Sequence, residues 1–326
     1  MFYNILELYS GIGGMHCAWK QSGLPGKVCA AADVNTVANE VYLHNFPGTR
    51  LINRNIQSLA PAEIKRLNVN VILMSPPCQP FSRNGKYLDD GDPRTDSFLY
   101  LIGILHELDT IEYILMENVK GFESSTVRQL FVQKLRDCNF DHREFLLCPT
   151  SMGVPNSRLR YYCIARKSNI TRQFKLKDEL VMSLPIDYGL PFALDSILQK
   201  DVPADHLVPE KLLKWANVFD ICYRDSSRSC CFTKSYTHYV DGTGSIFTES
   251  SPEDVKKCLE KANRFEVGSE SFINIVKGLQ LRYFTPGEVL ALMSFPGSYG
   301  FPASTTVKQR YRLLGNSVNV KVISEL

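Results

Sequence analysis

Six short apolar runs mark the first half of the chain, at residues 2–8, 28–32, 71–74, 113–116, 144–148 and 161–165. Runs of this length, closed by turn residues, read as buried strands. Between them, apolar positions recur at helical spacing over 15–22, 36–45, 97–108 and 126–138. That alternation predicts an α/β fold, a doubly wound, mostly parallel, Rossmann-like sheet covered by helices on both faces. Past residue 167 the alternation fades. Residues 168–188 read as a linker, and 189–301 hold more Gly, Pro and Ser in short mixed segments. The expectation is a large domain of residues 1–188 and 302–326 and a smaller second domain of 189–301. Helical pattern returns over 303–326, with Asn316-Ser317-Val318 near its start.

The conspicuous polar residues fall where predicted strands end. Ser10-Gly11-Ile12-Gly13-Gly14 follows the first strand, Asp33 the second, Ser75-Pro76-Pro77-Cys78 the third and Glu117-Asn118 the fourth. In open α/β sheets ligands bind in the crevice outside the carboxyl ends of the strands, so these motifs converge on one place. The glycine loop lets backbone approach a ligand closely. His16 stands where a dinucleotide fingerprint has its third glycine. A nucleoside-type ligand therefore fits better than a pyrophosphate, and a nicotinamide-dependent dehydrogenase is disfavoured. Asp33 has the position of an acid that binds ribose hydroxyls, or of a helix cap.

Two prolines fix the backbone before Cys78, so the thiol sits on a stiff turn. Such a turn suits a nucleophile held near attack geometry, although a lone cysteine is more often an inert buried thiol. Glu117 emerges from an apolar strand, where burial favours the protonated form of a carboxyl and suits a general acid. A strand-end carboxylate bonded to backbone amides is the plainer alternative. Arg158 and Arg160 point to one face, where two guanidiniums bind a carbonyl oxygen, a carboxylate or a phosphate, or remain as solvated charge.

Composition narrows the classes. Hydrophobic residues make up 44% and charged residues 22% of the 326, ordinary values for a globular protein. No apolar run reaches the ~18 residues of a membrane span. The N-terminus lacks a basic region and a cleavage site, so secretion is not expected, and a cytoplasmic or nuclear location is. Ten cysteines without a Cys-x-x-Cys pair, and six scattered histidines, point to reduced thiols and no metal site. Residues 186–301 hold 12 Lys and Arg against 15 Asp and Glu, and the rest 25 against 19. Charge thus permits a polyanionic substrate without demanding one.

Taken in order, these residues resemble the cytosine-5 methyltransferase family. The matching elements are Glu7-Leu8-Tyr9-Ser10-Gly11-Ile12-Gly13-Gly14, Pro76-Pro77-Cys78-Gln79, Glu117-Asn118-Val119, Arg158-Leu159-Arg160, Gly315-Asn316-Ser317-Val318, and Arg282-x-x-Thr285-x-x-Glu288 followed by Phe295-Pro296. Cys230-Cys231-Phe232-Thr233 looks like the Cys-Phe-Thr signature of the branch that methylates tRNA, chiefly aspartate tRNA in its anticodon loop. Asp33 also fits that branch, where DNA-directed members generally carry Glu.

The resemblance implies S-adenosylmethionine as cofactor and S-adenosylhomocysteine as product. It implies Cys78 as the nucleophile at cytosine C6, Glu117 at N3, and Arg160 with Arg158 at the carbonyl. It further implies Ile12, Gly13, Gly14, Asp33, Asn55, Ile56, Ser75, Ser97 and Asn316 around the cofactor, residues 189–301 as a recognition region, and Cys231, Phe232 and Thr233 at the substrate. A monomer acting on tRNA is the expectation. DNA as the polymer, or a catalytically silent nucleic-acid-binding protein, are the rival readings. Two departures stand out: Asn156 where many members have Gln, and a last helix that ends early, at Leu326.

Overall fold

The structure, a computed structural model, describes residues 2–77, 95–170, 179–239 and 241–326. The large unit runs β1 (Tyr3–Leu8), α1 (Gly14–Ser22), β2 (Gly26–Ala32), α2 (Thr36–Asn45), β3 (Arg50–Ile52), α3 (Pro61–Arg66), β4 (Val71–Met74), α4 (Asp96–Ile104), β5 (Tyr113–Val119), α5 (Thr126–Asp137), β6 (Phe140–Leu147) and β7 (Arg160–Lys167). Its seven strands are ordered β3-β2-β1-β4-β5-β7-β6. Strands β1 to β5 pair in parallel, while β7 runs antiparallel to both β5 and β6. The mostly parallel sheet is as predicted. β3 and α3, of three and six residues, are too short to leave a period in the sequence.

Alternate side chains of each strand feed opposite layers. Ile5, Val71 and Leu73 join a core with α1 and α2. Leu6, Ile72, Met74 and Met116 join a second core under α4 and α5. β4 is buried along its whole length, as a central strand covered on both faces must be. The order reverses between β1 and β4, which places a crevice outside their carboxyl ends.

The remaining elements are α6 (Glu210–Leu213), β8 (Ile221–Cys222), β9 (Ile246–Phe247), α7 (Pro252–Ala262), α8 (Glu270–Lys277), β10 (Arg282–Tyr283), α9 (Pro286–Leu292), α10 (Val307–Gly315) and α11 (Val320–Ser324). β8, β9 and β10 form a three-stranded sheet whose own core includes Val255, Phe272 and Val276. Phe232, Phe247, Phe284, Val289 and Phe295 belong instead to the core shared with α1 and α2. The Arg282/Thr285/Glu288 spacing is structural. Arg282 donates from both Nη atoms to the fully buried Glu288, whose carboxylate also accepts the Thr285 amide in a capping box. Asn316 lies in the turn between α10 and α11 rather than near a helix start.

Candidate active site

A cavity of about 380 Å³ opens at the crevice. Ser10, Gly11, Ile12 and Gly14 line it from the β1–α1 turn, Asp33 and Val34 from the end of β2, Ser75, Pro76 and Pro77 from beyond β4, and Glu117 from β5. Arg158, Arg160 and Asn316 complete the wall from β7 and the α10–α11 turn. One end of this cavity is a cradle of backbone and carboxylate, the other a cluster of charged side chains.

The cradle begins with a turn that glycine alone allows without strain. Gly13 has φ 81°, and a Cβ there would stand 2.5 Å from the Phe46 ring. Asp33 accepts the Gly11 amide at 2.8 Å on one carboxylate oxygen and the Asn35 amide at 2.8 Å on the other. Each oxygen keeps a lone pair for a ligand. Asn35, not Asp33, caps α2 by accepting from the Ala38 amide. Ser10 is 6% exposed, and its hydroxyl lines the cavity without a protein partner. Below the loop, Glu7 accepts from the His16 amide and the Tyr42 hydroxyl. Burial pushes its carboxyl up to about 8, with Tyr42 and the His16 amide pulling the other way.

The charged end is compact. Glu117, 5% exposed, accepts from the Ser75 hydroxyl at 2.9 Å, and its other oxygen lies 3.6 Å from Arg160 Nε. Asn118, fully buried in the next position of β5, donates from Nδ2 to the Pro76 carbonyl at 3.4 Å. It tethers the turn that carries the chain into Cys78. Cys78 itself lies outside the described residues; its neighbour Pro77 lines the cavity.

Arg158 behaves differently from Arg160. It is 4% exposed, and its Nη atoms donate to the carbonyls of Phe232 (3.1 Å), Gly315 (3.4 Å) and Ser317. It clamps two loops together; with Cys231 Sγ 3.4 Å from Nη1, all four Nη protons have acceptors, while Nε has no hydrogen-bond partner. Arg160 donates from Nη1 to the Leu159 carbonyl and turns Nε to Glu117.

Several expected residues stand elsewhere. Asn55 caps the short 3-10 turn Ile56–Ser58, and Ile56, 3% exposed, belongs to the core under α4. Ser97 accepts a hydrogen bond from the cavity-lining Tyr9 but does not line the cavity. Phe232 is core, 2% exposed, edge-on to Tyr236 and Phe284. Cys231 and Thr233 flank it, also away from the cavity wall. Asn156, 1% exposed, donates to Ser229 Oγ and the Cys230 carbonyl rather than facing the cavity.

Sequence reasoning missed Val34, and it gave no role to Tyr9 or to the tether Asn118, although both lie in the motifs it singled out. Val34 had a readable signal, an apolar residue directly after a strand-end acid; the structure adds that it is 62% exposed.

A doubly wound sheet with a glycine loop after its first strand, an acid after its second and a charged cluster at the crevice is the arrangement in which α/β proteins take up a ligand at the ends of their strands. Residues 3–326 match the family described as C-5 cytosine-specific DNA methylase. A tRNA (cytosine(38)-C(5))-methyltransferase from Spodoptera frugiperda is 66% identical, over 100% of this chain and 98% of its own length. The human protein of the same name is 40% identical, over 99% of this chain and 97% of its own. A crystal structure of a Spodoptera frugiperda DNMT2 mutant superposes with a TM-score of 0.94 at 66% identity, covering 99% of this chain and 98% of the other. The chain belongs to the C-5 cytosine-specific DNA methylase family, a family of enzymes.

Proposed function

We propose that this enzyme transfers a methyl group from S-adenosylmethionine to C5 of a cytosine in tRNA, at position 38 of the anticodon loop of aspartate tRNA. The observation that carries the chemistry is the Ser75–Glu117–Arg160 cluster, which shares one cavity with Pro77, the glycine loop and Asp33. The choice of tRNA rests on the names of the relatives and the Cys-Phe-Thr signature at 231–233.

The cavity fits the cofactor. Its volume falls within the ~300–1,000 Å³ of small-molecule sites, and the Ser10 hydroxyl is buried against it with no protein partner. Asp33 presents spare acceptor capacity for ribose hydroxyls. Val34 offers an apolar surface to a base, and the loop at Ile12 to Gly14 admits a close backbone contact. When bound, S-adenosylmethionine supplies the methyl group that C5 takes, leaving S-adenosylhomocysteine.

The chain's own residues do the rest. The Cys78 thiolate adds to C6, and the electron pair of the C5–C6 double bond is pushed into the ring. Glu117 protonates N3 as this happens, so no ring anion accumulates. Arg160, poised beside Glu117, meets the carbonyl oxygen and stabilises charge that develops there. Arg158 acts one step back, as the clamp that holds the walls. N3 then returns its proton to Glu117, and a base takes the C5 proton. The electron pair of that C–H bond re-forms the C5–C6 double bond as the C6–S bond breaks and releases the thiolate. A loop cytosine costs less to extrude into such a pocket than a paired one, which favours RNA. Residues 189–301 serve as the recognition region.

Methyl transfer from labelled S-adenosylmethionine to aspartate tRNA, to other tRNAs and to duplex DNA tests the reading. The expected result is label in aspartate tRNA at cytosine 38, absent with Cys78→Ala, which retains cofactor binding. Label in DNA alone overturns the polymer. Undiminished transfer by Cys78→Ala overturns the mechanism.

A further inference from the structure

The glycine loop is held from near and from far. The Gly11 amide donates to Asp33 at 2.8 Å, and the Gly13 amide donates back to the Ser10 carbonyl at 2.8 Å. A further bond arrives from 287 residues away: Tyr299, in the loop between α9 and α10, donates its hydroxyl to the Ile12 carbonyl. The peptide between Ile12 and Gly13 is thus fixed at both ends, its N–H by Ser10 and its C=O by Tyr299.

A carbonyl at this point needs such a donor. Ile12 is 2% exposed, and a buried carbonyl without a partner costs free energy comparable to a lost hydrogen bond. Ile12 stands just before the helix cap Gly13, and the amide four residues on, that of His16, donates to Glu7 instead. Glycine in the next position makes rotation of this peptide cheap, because it tolerates either sign of φ. Without the tyrosine hydroxyl, the cavity that Ile12 lines offers the carbonyl water in exchange.

We propose that Tyr299 is a positioning residue: its hydroxyl keeps the Ile12 carbonyl turned into the core and the glycine loop in the shape that takes the cofactor. The assignment rests on the function proposed above. Tyr299 is not on the cavity wall, so it acts through the loop and not on a ligand. Its ring is aimed by its surroundings. It packs on Phe295 at a centroid distance of 4.7 Å and on Phe46 at 6.4 Å. The next residue is tied to the end of α2 in both directions: the Gly300 amide donates to Asn45 Oδ1 at 3.0 Å, and Asn45 Nδ2 to the Gly300 carbonyl at 2.9 Å. Burial pushes the phenol well above its ordinary range, so the hydroxyl stays a donor at working pH. These contacts belong to ring and backbone, and Tyr299→Phe keeps them while removing the bond to Ile12.

The test compares Tyr299→Phe and Tyr311→Phe with wild type. Tyr311 is the control, a buried tyrosine whose hydroxyl donates to the Phe284 carbonyl at 2.6 Å, outside the loop. The readouts are S-adenosylhomocysteine affinity by calorimetry, solvent exchange of the Gly13 amide by NMR of glycine-labelled protein, melting temperature, and tRNA methylation at varied cofactor concentration. Tyr299→Phe is expected to raise the Kd and the cofactor KM by about two- to tenfold, the range of one net hydrogen bond. Its kcat at saturating cofactor and its KM for tRNA should stay unchanged, and its Gly13 amide should exchange faster by a similar factor. Tyr311→Phe should lower the melting temperature and leave both the Kd and the Gly13 exchange at wild-type values. An unchanged Kd in Tyr299→Phe, or unchanged Gly13 exchange, overturns the proposal. An equal loss of affinity in Tyr311→Phe overturns it in favour of a general loosening. Wild-type protein that methylates no tRNA overturns the function beneath it, while calorimetry and Gly13 exchange, read without tRNA, still decide the role of Tyr299.

Discussion

Replacing Asp33 by alanine removes a carboxylate that does two things at once. It accepts the Gly11 and Asn35 amides at 2.8 Å each, which shapes the loop, and in the proposed function its remaining lone pairs meet the ribose hydroxyls. Because Asp33 is partly exposed, water can take over the two amides in the variant. The folding cost is therefore about 0.5–1.5 kcal/mol per bond at most. The ligand has no such substitute inside the cavity. Losing hydrogen bonds from ribose hydroxyls to a charged acceptor costs about 1.5–3 kcal/mol, a rise in Kd of about tenfold to a hundredfold. Calorimetric titration with S-adenosylhomocysteine measures this directly, and a melting curve on the same sample shows that the fold survives. An unchanged Kd with an intact fold refutes the placement of the ribose at Asp33.

Gly315→Ala should damage the joint beside the site, because the new Cβ would lie 2.0 Å from the Lys234 amide nitrogen and 2.1 Å from the Thr233 carbonyl carbon. Backbone must shift there, at about 1–3 kcal/mol. Melting temperature and tRNA methylation are both expected to fall, and wild-type values for both refute the contact. Glu7 predicts a pH effect. Its folded-state value is raised from 4.5 to about 8 by burial. Its stabilising contribution is therefore full below about 4.5 and lost as pH rises towards 8, by at most ~5 kcal/mol. His16, lowered to about 3 by burial and Lys20, acts in the opposite sense as pH falls below 6.5. Comparing melting temperatures of wild type and Glu7→Gln across pH 4.5 to 8 isolates the Glu7 slope; parallel curves refute it.

The sheet was legible because its strands are buried on both faces and read as unbroken apolar runs, as in β4. The residues of the cavity were legible where they sit at a strand end: Gly11, Ile12 and Gly14, Asp33, Ser75, Glu117 and Arg160. Glu117 and Asn118 belong to β5 itself, which extends to Val119 because β7 pairs antiparallel along its full length. A crossing partner of that kind leaves no trace in local periodicity. Phe232 misled for the opposite reason. A motif shared with a family marks a position as constrained but does not say whether substrate or core constrains it, and here core does.

Arg158 shows why such distinctions need tertiary structure. It and Arg160 share a face and a motif, so sequence gives them one role. What separates them is the set of acceptors that arrive from 74, 157 and 159 residues away in the chain. Those acceptors, with Cys231 Sγ, fill the Nη atoms of Arg158, while Arg160 keeps Nε directed at Glu117. The same contacts bind the 229–232 segment and the α10–α11 turn to the start of β7, beside the cavity. A pocket whose walls come from three distant stretches is only as well aimed as the clamp between them. A buried arginine whose Nη atoms reach carbonyls on two separate loops is suited to that task because its planar fork fixes direction as well as distance.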